Sequence, residues 1–204
     1  LPTDSYVVKR LITGMHFVDG TNIEKALYVN ERTIAKDLPG DFLDNLLLKE
    51  AYRTESNFNE EVKVKDLEQA RINLFGKNYE IIIPTDKEVG SCPVFKYNTE
   101  KRSYKRDSSE CNITNDISIS YDVVEARIIE NKSITIYEAV AFIKDDKIYK
   151  KIDGSNNVSD EVKDVTTDGF NVLDNVKKLN QYKYTFTYDK DSNNYVFNSI
   201  ELVK

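Results

Sequence analysis

The fold is decided by residues 117–152, ISISYDVVEARIIENKSITIYEAVAFIKDDKIYKKI. This stretch contains three runs that are rich in β-branched and aromatic residues, which favour strands. Two polar pairs, Asn131-Lys132 and Asp145-Asp146, separate the runs at the places where hairpin turns belong. The stretch therefore predicts a three-stranded antiparallel meander.

The residues on either side of this meander differ in character. Before it, apolar residues recur at helical spacing in four segments, and Gly76 follows the last of them as a helix-ending residue. Outside the helical part, short β-rich runs alternate with polar turns, and a final strand pair covers 182–202. Helices followed by hairpins predict an α+β fold, in which N-terminal helices are followed by a twisted antiparallel sheet.

The chain shows no linker-like stretch that would divide it. At 204 residues we expect a single domain over 1–204, with a helical part at 1–76 and a sheet part at 77–204. The run YEIII at 79–83 is predicted as a strand. Its edge, like that of the last hairpin, is open to pairing with another chain.

The charge and hydropathy of the chain limit the classes of partner. With a net charge of −6, it lacks the basic character that contact with nucleic-acid phosphates needs, so no nucleic-acid partner is expected. The basic run KRSYKR at 101–106 is interpreted as a solvated hairpin, with a polyanion site as the alternative. No run reaches the roughly 18 apolar residues of a membrane-spanning helix. Membrane contact is therefore expected only through a missing N-terminal anchor.

The two cysteines, Cys92 and Cys111, flank one predicted hairpin. A lone pair in this arrangement, without a second pair or a nearby histidine, favours a disulfide over a metal site. Two buried thiols in a cytosolic protein are the alternative. The chain starts at Leu1 and not at Met, which suggests that a signal peptide or an anchor was removed. These features predict an extracytoplasmic protein, either secreted or anchored at the cell surface.

Motifs for catalysis and cofactor binding are missing from the sequence. It has no Walker loop, no dinucleotide-binding glycine pattern and no HExxH motif, so neither a cofactor nor a metal site is expected. The run DKDSN at 189–193 resembles the start of an EF-hand loop, but Asn194 and Ile200 replace the required Gly and Glu. His16 is the only histidine, and a Ser-His-Asp triad would have to use it. It is interpreted as a boundary residue beside the Ile12 row of the first helix.

The turn positions set a register for the meander. If Asn131-Lys132 is a two-residue turn, Glu130 pairs with Ser133. One face of the meander is then nearly all apolar and is expected to carry the helices. It collects Val124, Ala126, Ile128, Tyr137, Ala139, Ala141, Ile143, Ile148 and Ile152.

A charged cluster on the other face is the candidate site. In the predicted register Glu125 faces Glu138, with Arg127 diagonally placed, among apolar neighbours. Facing carboxylates repel each other, and a half-buried pair raises at least one pKa, as general acids require. If this face is concave, the cluster and Tyr121 line a ligand pocket. The alternative is a solvent-exposed charged patch. Tyr137 is a further contact, although this register puts it on the opposite face.

Two resemblances go beyond these residues. The succession of helices and curved sheet is similar in architecture to the NTF2-like and cystatin-like families. The chain is rich in Asn, Lys, Ile and Tyr, and carries FGKNYE at 75–80 and YKYTFTYDKDSNNYVFNSIELVK at 182–204. In these features it resembles uncharacterised exported or lipid-anchored proteins (domains of unknown function) of low-GC Gram-positive bacteria. The second resemblance implies a location in the cell envelope and supplies no function.

Two functions are compatible with these observations. The missing catalytic motifs and the cysteine pair favour a non-catalytic extracytoplasmic domain that binds an unknown protein or envelope ligand. The second function is a small-ligand-binding or hydrolytic domain that uses Glu125, Glu138 and Arg127 on a concave sheet face. A register in which the two glutamates are not opposed would argue against the second function.

Overall fold

The computed structural model describes residues 1–17, 21–54, 61–85, 87–90, 94–107, 117–162 and 170–204. The helices in these ranges are α1 (Tyr6–Met15), α2 (Thr21–Tyr28), α3 (Gly40–Thr54) and α4 (Val64–Phe75), with short 3-10 helices at Ala35–Asp37 and Leu173–Lys178. Ser5 caps the start of α1, where its hydroxyl accepts a hydrogen bond from the backbone N–H of Val8. Gly76 ends α4 with a φ of 89°, a conformation that glycine adopts at low cost.

The described strands form two antiparallel sheets. They are β1 (Arg32–Ile34), β2 (Glu61–Lys63), β3 (Val94–Asn98), β4 (Ser103–Asp107), β5 (Ser118–Ile129), β6 (Ser133–Lys144), β7 (Lys147–Tyr149), β8 (Asn180–Asp189) and β9 (Asn194–Leu202). The larger sheet has the order β1-β9-β8-β6-β5, with β7 also paired to β6, and the smaller sheet has the order β2-β4-β3. The predicted α+β fold with N-terminal helices is confirmed, although β1 and β2 lie in the part that was expected to be helical.

Strand β6 is the centre of the larger sheet. Strand β5 runs along one of its edges, and β8 and β7 share the other edge. The turn at Asp145-Asp146 lies where the sequence predicts it, and it pairs Phe142 with Tyr149 and Ile143 with Ile148. Both aspartates have a positive φ, as in a type I′ hairpin turn. The second half of the predicted meander is therefore confirmed.

The first turn of the meander lies one residue earlier than predicted. Glu130 and Asn131 have the positive φ values that a tight hairpin turn needs. Ile129 lies opposite Ser133, where the prediction placed Glu130. Strand β5 is therefore displaced by one residue along β6.

A β-bulge in β5 displaces the register a second time. The shift falls between Val123 and Glu125, because an extra residue of β5 is accommodated there. Glu138 lies opposite Val123, and Glu125 lies opposite Tyr137. The predicted opposition of Glu125 and Glu138 is wrong. Because side chains alternate along a strand, Glu125 and Arg127 point away from the face that carries Glu138.

The main core lies between the helices and the face of the larger sheet that carries Glu138. Four residues of β6 on this face are at most 1% exposed: Ile134, Ile136, Val140 and Phe142. They form one apolar cluster with side chains of all four helices, among them Val8, Leu27, Leu46 and Leu67. The prediction that the helices cover the opposite face is wrong. Both faces of β6 are apolar, so the alternation of residues does not distinguish them.

The opposite face of β6 has a smaller core of its own. Ala139 and Ala141 pack there with Ile148. Val158 and Val172, from the long excursion between β7 and β8, cover these residues. This excursion therefore covers the part of that face around Ala139 and Ala141.

Two predictions bear on the compartment of the protein. The disulfide between Cys92 and Cys111 lies outside the described residues. Among the described helices, none combines the length and the apolar character needed to cross a membrane.

Candidate functional site

A cluster of polar side chains is buried between the first two helices and the larger sheet. This His16 cluster consists of His16, Glu24, Tyr28, Tyr121, Glu138 and Tyr184. All of its members except Tyr121 are at most 4% exposed. His16 follows the last residue of α1, Glu24 and Tyr28 lie one turn apart on α2, and the other three lie on β5, β6 and β8. The cluster therefore joins two helices to the centre of the sheet.

His16 bridges two carboxylates. Its Nδ1 lies 2.7 Å from Oε1 of Glu24, and its Nε2 lies 2.7 Å from Oε1 of Glu138. The backbone N–H of Phe17 also donates to Glu24, at 2.8 Å. The imidazole stacks on the ring of Tyr121, with 3.7 Å between the ring centroids. The ring of His16 is thus held at both nitrogens and on one face.

Two tyrosines complete the hydrogen bonding of Glu138. The hydroxyl of Tyr28 donates to Oε2 of Glu138 at 3.1 Å, and the hydroxyl of Tyr184 lies 3.2 Å from that of Tyr28. Because Tyr28 has one hydroxyl proton and gives it to Glu138, Tyr184 is the donor in the second bond. Both oxygens of Glu138 therefore have partners, as burial of a charged group requires.

The carboxylates decide the charge of His16. Burial lowers the pKa of this imidazole, but Glu138 and Glu24 outweigh that effect and raise it to about 9. At neutral pH the cluster therefore holds an imidazolium that donates to two carboxylates. Burial and the charge of Glu138 raise the pKa of Tyr28 and Tyr184 well above the usual value. These hydroxyls consequently remain protonated donors.

Lys49 of α3 fixes the backbone beside His16. Its ammonium group donates to the carbonyls of Thr13, Gly14 and His16 at 2.6–2.8 Å. Carbonyls at the C-terminal end of a helix have no partner within the helix, and a cation there is favourable. Burial lowers the pKa of Lys49 to about 7, although the nearby carboxylates oppose this effect. Lys49 therefore connects α3 to the C-terminal end of α1.

This geometry gives the His16 cluster a structural role. A catalytic base must reach the proton that it removes from a substrate, whereas both nitrogens of His16 are bound to carboxylates inside the protein. The same two bonds leave the imidazole without a lone pair for a metal ion. Across the described ranges, no group of His, Cys, Asp and Glu side chains is arranged to hold a metal.

The structure separates the residues that the sequence predicts as a site. Glu138 and Tyr121 lie in the His16 cluster. Glu125 and Arg127 form an ion pair with each other on the opposite face, where their side chains are 45% and 58% exposed. The guanidinium of Arg127 lies 5.4 Å from the ring centroid of Tyr137. The hydrolytic site that would combine Glu125, Arg127 and Glu138 therefore has no geometric basis.

Sequence reasoning alone does not find the partners of Glu138. The interpretation of His16 as a boundary residue is wrong, since His16 is 4% exposed. A signal for its burial exists, because it lies four residues after the buried Ile12 and continues the buried face of α1. The spacing of Glu24 and Tyr28 likewise places them on one face of α2. Neither signal indicates a partner on a distant strand.

A groove of about 800 Å³ lies elsewhere on the surface. One wall consists of residues 78–85 and Lys87, and the other consists of Lys36, Gly40, Leu43 and Asp44. Nζ of Lys87 lies 2.5 Å from Oδ2 of Asp44, so an ion pair joins the two walls. The partly buried side chains of Leu43, Ile81 and Ile83 provide apolar lining and pack against the main core. The groove thus combines an apolar floor with charged groups.

The first wall resembles a strand that lacks a neighbour. Residues 79–83 form no strand in the structure, so that prediction is wrong as stated. Exposure nevertheless alternates as in a strand from Glu80 to Ile83, and the alternation ends at Pro84, which is buried. No hydrogen bond joins the backbone of residues 80–85 to another described residue. A row of backbone donors and acceptors is therefore open along this wall.

Contacts of Tyr79 fix the start of this wall. Its hydroxyl donates to the carbonyl of Ala35 at 2.6 Å. Its ring stacks on Phe75, with 4.5 Å between the centroids, and its carbonyl accepts a hydrogen bond from Arg71 at 2.7 Å. The open segment therefore begins from an anchored residue four positions after the end of α4.

The geometry of the His16 cluster and of the groove is the basis for assigning a function. The resemblances to the NTF2-like and cystatin-like architecture and to exported proteins remain predictions. Comparison of the chain with protein-family models, with curated proteins and with solved structures gives no significant match.

Proposed function

We propose that the protein is a non-catalytic binding domain that takes a segment of a partner polypeptide into the groove. The observation that carries this proposal is the groove of about 800 Å³ beside a wall of unpaired backbone. Ligand sites in proteins are concave, largely apolar and typically 300–1,000 Å³ in volume, with a few polar groups that fix orientation. The groove has these properties.

The state of the charged residues in the core also supports a non-catalytic function. The chain has one histidine, and both nitrogens of that residue are bound within the His16 cluster. Glu138 is likewise fully hydrogen-bonded, to His16 and Tyr28. Acid–base chemistry requires groups within hydrogen-bonding reach of a substrate. The residues best suited to such chemistry instead hold the fold together.

An extracytoplasmic location in the cell envelope is part of the proposal. Its support comes from the sequence: the lone cysteine pair, Cys92 and Cys111, and the composition of the chain. Mass spectrometry of the unreduced protein tests this part. A disulfide lowers the mass by two hydrogens and leaves no free thiol, whereas two free thiols would contradict it.

The binding function can be tested with a substitution that fills the groove. Gly40 lines the groove, and a Cβ at this position would meet no heavy atom within 4 Å. Gly40→Trp should therefore fold while its indole blocks the groove. Lys65→Trp is the matched control, because Lys65 is exposed in the first turn of α4 and does not line the groove.

Random linear heptapeptides in a display library serve as the probe. Peptides that the wild-type protein enriches are synthesised, and their Kd is measured against both variants. We expect Gly40→Trp to weaken binding at least tenfold and Lys65→Trp to change it less than twofold. Equal binding to both variants, or no enrichment by the wild type, would contradict the proposed function.

A further inference from the structure

We infer that the partner segment binds as an extended strand and pairs its backbone with Ile81, Ile83 and Thr85. This inference rests on the proposed function and specifies how the partner is recognised. Residues 80–85 present peptide N–H and C=O groups that have no partner in the described part of the chain. An extended polypeptide offers donors and acceptors at the same spacing, and strand addition to an open edge is a recurring mode of peptide recognition.

The amino acids of this segment favour such pairing. Ile81, Ile82 and Ile83 are β-branched residues with a strong preference for strands. The fold does not satisfy that preference, and Ile82 is 93% exposed. An exposed apolar strand without a neighbour is prone to pair with another chain. A bound strand would supply the missing neighbour.

Pro84 selects the edge that the partner uses. In a strand, alternate residues direct their N–H and C=O groups toward the same edge. Glu80, Ile82 and Pro84 share one edge, where proline contributes no N–H. Ile81, Ile83 and Thr85 share the other edge, which has a donor at every residue. Because a partner strand gains a donor at every position only from Ile81, Ile83 and Thr85, the partner pairs with this second set.

The length of the open segment suits a short strand. Six residues such as 80–85 span roughly 20 Å when they pair as a strand, at about 3.3 Å per residue. Strands of five or six residues are the commonest in proteins. A partner segment of this length would cover the whole open edge.

Charges on the two walls restrict the sequence of that segment. Lys36 is exposed on the wall that includes Gly40 and Leu43, and Glu80 is exposed on the opposite wall. A strand between them meets a cation on one side and an anion on the other. Charge complementarity therefore favours a segment with an acidic side chain toward Lys36 and a basic side chain toward Glu80. Apolar residues at alternate positions would contact Leu43 and Ile81.

Hydrogen exchange of the free protein is the first test. The amides of Ile81, Ile83 and Thr85 should exchange at rates close to those of an unstructured peptide, since they are unpaired. Saturation with an enriched heptapeptide should slow these three amides at least tenfold. The amides of Glu80 and Ile82 should slow much less. Protection of all five amides in the free protein, or of Glu80 and Ile82 alone in the complex, would overturn the inference.

N-methylation of the heptapeptide is the second test. Methylating an amide removes one backbone donor and leaves the side chain in place. We expect Kd to rise at least tenfold at alternate positions and less than twofold at the positions between them. If the peptide tolerates methylation everywhere while Gly40→Trp still abolishes binding, side chains alone mediate recognition. The inference then fails and the proposed function stands; if no peptide depends on the groove, both fail.

Discussion

Nε2 of His16 lies 2.7 Å from Oε1 of Glu138, although 122 positions separate the two residues in the sequence. On its other side the same ring bonds to Glu24, also at 2.7 Å. One imidazolium therefore offsets two buried carboxylates, and it joins the end of α1 to α2 and to the central strand of the sheet. Substitutions of His16 and of Glu138 should therefore change the stability by different amounts, because they leave different charges in the core.

Removal of the cation should destabilise the protein more than removal of one anion. His16→Gln leaves Glu24 and Glu138 facing each other without a positive charge, and loss of a partner from a buried ionic group typically costs about 3–5 kcal/mol. Glu138→Gln leaves one ion pair, His16 with Glu24, and should cost about 1–2 kcal/mol, in the range of a lost hydrogen bond. Urea unfolding at pH 7 measures both free energies.

A double variant provides the control for this comparison. In His16→Gln the charges of Glu24 and Glu138 face each other, and an additional Glu138→Gln substitution removes one of them. The double variant should therefore be more stable than His16→Gln at pH 7. Equal destabilisation by the single substitutions His16→Gln and Glu138→Gln would show that charge is not the controlling factor.

The charge of His16 can be observed directly because the untagged chain has a single histidine. The NMR signal of its Cε1–H group should titrate with a pKa of about 9. A midpoint near the ordinary value of 6.5 would mean that the carboxylates do not stabilise the protonated imidazole. His16→Gln identifies the signal, since it must vanish in that variant.

The raised pKa also gives stability a defined dependence on pH. The folded state retains the proton of His16 up to about pH 9, whereas the unfolded chain releases it near pH 6.5. The contribution, about 3 kcal/mol, is therefore fully present below pH 6.5 and is lost as the pH rises through 9. Lys49, with a lowered pKa of about 7, acts in the opposite direction above pH 7. The variant His16→Gln retains Lys49. Subtracting its unfolding free energy from that of the wild type at each pH therefore isolates the contribution of His16.

Gly76 should not tolerate a side chain. Its φ is 89°, and a Cβ would lie 2.7 Å from Oδ2 of Asp189. Gly76→Ala should therefore cost about 1–3 kcal/mol, in the range for strained backbone. Gly40→Ala is the matched control at a helix end, where a Cβ meets nothing within 4 Å. Thermal unfolding should show a lower Tm for Gly76→Ala only, and equal Tm values would refute this account.

The exposed ion pair of Glu125 and Arg127 should be dispensable. Both side chains are largely exposed, and surface ion pairs are screened by solvent and contribute little. Arg127→Gln should leave the urea midpoint and the Kd of groove-binding peptides unchanged. A higher Kd in this variant would show that the sheet face carrying Arg127 takes part in binding.

The meander shows how far its sequence determines the sheet. Asp145-Asp146 gives the predicted register, because both residues tolerate a positive φ and the pairs beyond the turn are apolar. The first hairpin deviates for two local reasons, the turn at Glu130-Asn131 and the bulge before Glu125. Each displaces β5 by one residue along β6. Alternation cannot detect such displacements when both faces are apolar.

The His16 cluster was predictable only in part. Glu138 stands out in the sequence as a single acid within the apolar run IYEAVAF, and such a residue must be exposed or paired. Nothing local identifies His16 or Glu24 as its partners, because the pairing depends on how α1 and α2 lie across the sheet. The groove is similar: YEIII has the composition of a strand, but its sequence does not reveal that no neighbouring strand exists for it within the described chain.

The pairing of β1 with β9, which sets Arg32 opposite Glu201, has a consequence for the order of folding. Long-range pairs form late, because the entropy of closing the intervening loop is lost before any contact compensates for it. Strand β1 therefore remains unpaired until β9 is available. Refolding should accordingly be slow for a chain of this size, and aggregation during refolding should increase with protein concentration.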